Sequence, residues 1–185
     1  MATKYVTLEG IAEWAKVFEH NRDKTGYKGA FEATDGRTSI NLIISKDDFD
    51  KLQKTGSMKR GTFDQAGRGI NVKFDRKWNT GRDWDSGAPE VLRPDGNPWK
   101  VEEDGEIGNG SLVRVQIAVT DLPKQGVVST RLEKVKVLNL VQYESRDSEF
   151  YKDETSVEPA PKASSKPAAK KPEPALEPVE DEIPF

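Results

Sequence analysis

This sequence predicts a mainly β protein: a small barrel or sandwich with a long loop insertion and a C-terminal tail outside the core. Three observations point there. Short runs rich in β-branched and aromatic residues alternate apolar with polar and are bounded by Gly and Asp. No strong long helix shows in the hydrophobic pattern, which favours a barrel or sandwich over a bundle. Near residue 151 the composition shifts to Pro, Ala, Lys, Glu and Ser.

The elements follow in chain order. Segment 10–20 reads two ways. Ile11, Ala15 and Phe18 have helical spacing, whereas Trp14, Lys16 and Phe18 would line one face of a strand; composition slightly favours helix. Runs 27–33 and 38–45 read as strands. Ser45 followed by Asp48, Phe49 and Leu52 reads as a capped short helix. In 70–78, Ile70, Val72 and Phe74 fall on one face, and Asn71, Lys73, Asp75 and Lys77 on the other. Segment 112–121 alternates in the same way, with Val113, Val115, Ile117 and Val119 opposed to Arg114, Gln116 and Thr120. Residues 123–126 read as a hairpin turn, and 126–143 as a long strand or a bulged pair. Between the 70–78 and 112–121 segments, 79–109 is rich in Gly, Asp and Pro, and a loop of that length is usually functional or mobile.

Charge divides the chain in two. The 185 residues carry a net charge of −3, yet residues 1–150 hold 24 basic and 24 acidic side chains. The negative balance lies in 151–185, with 5 basic against 8 acidic. That tail holds 7 of the 11 prolines and none of the 15 glycines, so it cannot bury enough apolar area to offset its chain entropy. The expected organisation is a folded domain over 1–150 and a disordered, proline-stiffened tail over 151–185. The absence of cysteine excludes disulfides, thiolate metal sites and cysteine nucleophiles. Neither a signal peptide nor an apolar run long enough for a membrane helix is present, so a soluble, cytosolic protein is expected.

The chemistry concentrates in 54–82. Lys54, Lys59, Arg60, Arg68, Lys73, Arg76, Lys77 and Arg82 face only Asp64 and Asp75, a local charge of +6. Phe63, Phe74, Trp78 and the nearby Trp84 are interleaved with them. Single-stranded nucleic acid needs this combination, with cations along the phosphates and flat rings against unstacked bases. The bland reading is a core Phe74 with a solvated basic face. Trp78, Trp84 and Trp99 lie in or beside the polar loop, outside strongly apolar runs. They form either a satellite cluster or a stacking surface, and Trp78 leads because it ends a basic strand.

Other motifs are bland. The glycines at 67, 69, 108 and 110 match no phosphate-binding pattern. His20 has no nucleophile constellation and reads as a surface residue. Asp83, Asp85 and the acids at 102–106 read as solvated carboxylates rather than a metal site. No cofactor and no catalysis are expected. The tip is different: Glu180, Asp181, Glu182, Ile183, Pro184 and Phe185 form an acidic, apolar-ended hook. It suits a small hydrophobic pocket ringed by Lys or Arg.

Two resemblances bear on these residues. The ending Asp181-Glu182-Ile183-Pro184-Phe185 is similar to the acidic D-D-D-I-P-F tip of bacterial single-stranded DNA-binding proteins, departing by one charge-conserving acid at Glu182. The body instead resembles single-stranded DNA-binding proteins of tailed phages through "EWAKVFEHN", "YKGAFEATDGRTSINLIISKDDFDKL", "IGNGSLVRVQIAVTDLP" and "GVVSTRLEKVKVLNLVQYE". That resemblance implies an OB-fold, a five-stranded β-barrel with a short helix, and turns 10–20 toward a strand; 79–109 has no counterpart. It implies binding of single-stranded DNA with little sequence preference, in phage replication, recombination or repair, in the host cell cytoplasm. The expected contacts are Lys59, Arg60, Arg68, Lys73, Arg76, Lys77, Trp78, Arg82, Trp84 and Trp99. The tip would recruit polymerase, helicase or primase-type proteins. An OB-type protein adaptor, and a binder of duplex DNA or RNA, stand as alternatives. Homo-oligomer or cooperative array on DNA is left open.

Overall fold

The computed structural model describes residues 2–123 and 125–142. The expected tail, the boundary near 150 and the tip Glu180–Phe185 lie outside the described residues.

Among the described residues seven strands form one sheet, running from edge to edge as Gly61–Phe63, Ile70–Lys77, Arg37–Ile44, Thr3–Lys16, Leu112–Leu122, Val127–Asn139 and Glu90–Leu92. Five are substantial: β1 (Thr3–Lys16), β2 (Arg37–Ile44), β4 (Ile70–Lys77), β6 (Leu112–Leu122) and β7 (Val127–Asn139). The short β3 (Gly61–Phe63) and β5 (Glu90–Leu92) extend the two edges. The sheet is antiparallel except for β5, which runs parallel to β7. The five long strands curl so that β4 faces β7. Arg76 of β4 is buried there, and its guanidinium donates to Glu133 Oε2 of β7 at 2.9 Å. This connectivity, β4-β2-β1-β6-β7 with its ends brought together, is the OB-fold.

Alternation builds the core. Val6 and Leu8 of β1, Ile40 and Leu42 of β2, and Val72 and Phe74 of β4 turn inward. Val115 and Ile117 of β6 and Leu132 and Val135 of β7 meet them from the other side. Segment 10–20 is therefore largely strand: β-branched and aromatic residues pair with β2 on one edge and β6 on the other, which outweighs a local helical spacing. Gly10 permits the close β1–β2 approach, since a Cβ there would sit 2.3 Å from the Ile43 carbonyl oxygen.

Helix α1 (Lys46–Lys54) starts where the sequence places it. Ser45 Oγ accepts from the Asp48 N–H at 3.1 Å, Asp47 and Asp48 occupy the first turn, and Lys51 and Lys54 the last. Its Leu52 is buried and Phe49 packs on the core.

Segment 27–33 differs from expectation. It is no strand but two 3₁₀ turns, Tyr27–Gly29 and Glu32–Thr34. Left-handed residues at Gly26, Lys28, Gly29 and Asp35 break any extension, and Asp23 Oδ1 accepts from the Gly26 N–H at 2.8 Å.

The 79–109 insertion is ordered into a satellite. It contains β5, a turn at Asp83–Asp85 and the single-turn helix α2 (Val101–Asp104). Arg93 bonds Asp104 and Glu103, each at 2.7 Å, and Trp99 packs on the core while its indole N–H donates to Gly105 O at 3.0 Å. Among the described residues, no helix is long and apolar enough to cross a membrane.

Candidate nucleic-acid interface

The outward rows of β2 and β4 make the floor of the site. Cross-strand partners there are Arg37 with Lys77, Ser39 with Asp75, and Asn41 with Lys73. Because inward positions hold the core, every charge on these strands except Arg76 is pushed to this outer surface. Around the floor stand the loop before β2, the 57–60 linker, the 79–85 turn and the start of β7. Together they enclose a groove of about 910 Å³. Lys59, Arg76, Lys77, Arg82 and Arg131 line it. A second depression of about 360 Å³, holding Phe31, Arg60 and Lys73, shares Arg37, Lys59 and Asp75 with the first. The two therefore form one path over the barrel wall.

Asp75 sits where the two depressions meet. Its Oδ1 accepts from Lys59 Nζ and its Oδ2 from Arg37 Nη1, both at 2.6 Å. Burial opposes ionisation of Asp75, but Lys59 and Arg37 outweigh it and hold the carboxyl below its ordinary range. Lys73, Lys77 and Arg60 are exposed, and their side chains make no hydrogen bond or ion pair among the described residues. Arg82 is exposed on the groove rim. Arg131 is bound to Asp85 and Glu133.

Phe31 lines this surface and Trp78 follows Lys77 at the end of β4, and each ring is backed by an arginine. The Arg22 guanidinium lies 4.2 Å from the Trp78 ring centroid and is held by Asp35 at 3.1 Å. The Arg37 guanidinium lies 4.7 Å from the Phe31 centroid. Such stacking fixes ring orientation and adds cationic charge beside it.

The structure thus brings together Lys59, Arg60, Lys73, Arg76, Lys77 and Arg82 of the sequence-read contacts, with Trp78 following β4. Three candidates stand apart from the exposed cations. Arg76 lines the groove, but its guanidinium is spent on Glu133, Gly87 O and Ser86 O, so it closes the barrel instead of facing a ligand. Arg68 lies in the β3–β4 turn, at the opposite end of β4 from Lys77, and is paired with Asp64 and Glu13 at 2.9 and 2.6 Å. Trp99 belongs to the satellite. Trp84 falls on the Asp83–Asp85 turn, and its side chain lies outside the described residues. Three of the acids at 102–106 are held internally: Glu103 and Asp104 by ion pairs with Arg93, and Glu106 by a hydrogen bond with His20 Nε2 at 2.6 Å.

Sequence reading missed Arg37, Phe31, Arg131 and Arg22. Arg37 was accessible through the alternation of β2, which sends 37, 39 and 41 outward. Phe31 carries no periodic signal in its looped segment, and Arg131 is inconspicuous beside Glu133.

An OB barrel with a cationic, ring-flanked groove is the class of structure these residues define. Its fold is that of gp2.5, a single-stranded DNA-binding protein encoded by bacteriophage T7. The two share 19% identity, with a TM-score of 0.52 over 86% of this chain and 100% of that one. The single-stranded DNA-binding protein from bacteriophage Enc34 aligns at 14% identity in its C-terminally truncated form, over 75% of this chain and 87% of that one, with a TM-score of 0.49. The same phage protein in complex with single-stranded DNA aligns at 13% identity over 76% of this chain and 88% of that one, with a TM-score of 0.47. No protein-family model and no curated protein matches the sequence.

Proposed function

We propose that this protein binds single-stranded DNA with little sequence preference through the β2–β4 groove, serving phage DNA replication, recombination or repair in the host cytoplasm. The observation that carries the reading is a set of cations without a partner among the described residues, Lys73, Lys77 and Arg60, in two adjoining depressions that also hold the arginine-backed Phe31. Cations alone suit any polyanion. Cations with accessible rings suit a strand whose bases are unstacked. The fold shared with the T7 protein, which binds single-stranded DNA, supports this choice.

Residues 1–150 form the DNA-binding domain in this reading, and 151–185 a tail that presents Glu180, Asp181, Glu182, Ile183, Pro184 and Phe185 to replication or repair proteins. The protein acts by holding the strand and not by cleaving it.

Titration with oligo-dT at several salt concentrations tests the groove. Affinity falls as salt rises, with a log–log slope near −0.7 per phosphate neutralised, and tryptophan fluorescence is quenched. Binding indifferent to salt, or equal competition by duplex DNA or RNA, refutes the reading. Loss of partner capture on removing the last six residues, with strand binding retained, checks the tip.

A further inference from the structure

Trp14 has a left-handed backbone, φ +50°, inside β1. For a bulky aromatic this conformation is strained and persists only where its surroundings impose it. Three contacts impose it here. The Trp14 N–H donates to Asn109 Oδ1 at 2.8 Å, the Ala12 N–H to Ser111 O at 2.8 Å, and the Gly110 N–H to Ala12 O at 2.9 Å. On the other edge of β1 the register slips. Glu13 faces Asn41 and Lys16 faces Ser39, so β1 advances three residues while β2 advances two. That is a bulge of one extra residue.

The bulge decides which way the indole goes. Regular alternation from the buried Ala12 would turn Trp14 toward the core. Instead Ala15 packs on the core and Trp14 is left 66% exposed. A large apolar ring is thus moved into solvent at a cost in backbone strain.

Its position gives the expulsion a purpose. The flanking Glu13 and Lys16 pair with Asn41 and Ser39, whose side chains belong to the outer face of β2. Ser39 lines the smaller depression, and Asn41 pairs onward with Lys73. Trp14 therefore stands on the strand next to the groove floor, roughly 10 Å from Lys73 at the usual strand spacing. We propose that Trp14 is a base-stacking platform that carries the single-stranded DNA track from the groove across β1. The proposal rests on the groove reading above and deepens it.

The surroundings favour a nucleotide over a protein partner. Lys16, two residues along β1, is exposed, and the Glu13 carboxylate is already paired with Arg68 at 2.6 Å. A protein anchor sits in a well-packed pocket that excludes water, whereas this indole is 66% exposed among the polar Glu13, Lys16, Asn41 and Asn109. A stacked base needs only the flat face and a nearby cation.

The test uses the full-length chain with Trp14→Ala, Trp14→Phe and Trp14→Gly, titrated with oligo-dT beside the Lys73→Glu/Lys77→Glu groove variant. Trp14→Ala is expected to weaken binding about 5- to 50-fold and to shorten the stretch of strand covered. Trp14→Phe keeps affinity within about threefold, because a flat ring remains. Trp14→Gly binds as poorly as Trp14→Ala yet unfolds at higher urea, since glycine accepts the left-handed backbone without strain. Wild-type affinity and coverage in both Trp14→Ala and Trp14→Gly, with binding lost in the groove variant, overturn the proposal and leave the groove reading standing. Absence of binding by the wild-type protein overturns both. Loss of a protein contact with strand binding intact assigns the indole to a protein interface and likewise overturns it.

Discussion

The β2–β4 groove and the 79–109 satellite are both polar, charged and tryptophan-bearing, and in sequence they look alike. In three dimensions they differ in how charge is settled. In the satellite, Arg93 meets Asp104 and Glu103, Lys100 meets Glu103 at 2.8 Å, and Trp99 is tied to Gly105 O. In the groove, Lys73, Lys77 and Arg60 meet no carboxylate among the described residues, and Asp75 already holds both Lys59 and Arg37. Local charge density alone therefore does not distinguish the two regions; whether a charge has an internal partner does. Arg76 shows the rule within the groove itself, since it lines the wall but behaves like a satellite residue.

That contrast is sharpened first by residues that hold structure. Arg76→Ala removes the guanidinium's bonds to Glu133, Gly87 O and Ser86 O, with Arg131 still neutralising Glu133, and is expected to cost about 3 kcal/mol of stability; Trp99→Ala is expected to cost about 3 kcal/mol as well. Urea denaturation measures both. The folded Trp99→Ala protein keeps its affinity for oligo-dT, and a large loss of affinity there would break the distinction between the two regions.

The groove variant behaves in the opposite way. Lys73→Glu/Lys77→Glu changes exposed positions, so stability moves by no more than about 0.5 kcal/mol. Strand affinity falls about 10- to 100-fold near 0.1 M salt, and the salt slope becomes shallower by about 1.5. Unchanged affinity in this variant would remove the groove from consideration.

The smallest effect is pH dependence at Asp75. Its folded pKa is depressed, so its contribution to stability is complete above the unfolded carboxylate value, about 3.9, and is lost as pH falls through the lower folded value. Asp75→Asn is therefore expected to be less stable than wild type at pH 7. The gap closes below about pH 4 in parallel acid titrations followed by circular dichroism.

Much of the barrel was legible before any coordinates. The inward set Ile70, Val72 and Phe74, the alternation through Val113–Val119 and the Ser45 cap all follow from local periodicity or capping chemistry, and the structure keeps them. Segments 10–20 and 27–33 were harder for opposite reasons. The first pairs on both edges with distant strands, which no local window sees. The second is broken by left-handed residues, including Lys28 and Asp35, that composition does not announce.

By itself the sequence determined the mainly β class, the inward and outward rows of 70–77 and 112–121, and the stretch where cations gather. Which cations stay unpaired was decided by tertiary structure, because pairing depends on residues far apart in the chain: Arg76 with Glu133, Arg68 with Glu13, Lys59 with Asp75. Tertiary structure also decided which aromatics face solvent, since a one-residue slip between β1 and β2 sends Trp14 outward where periodicity would bury it. Strand register and long-range ion pairs are properties of chain closure, and no local run of residues encodes them.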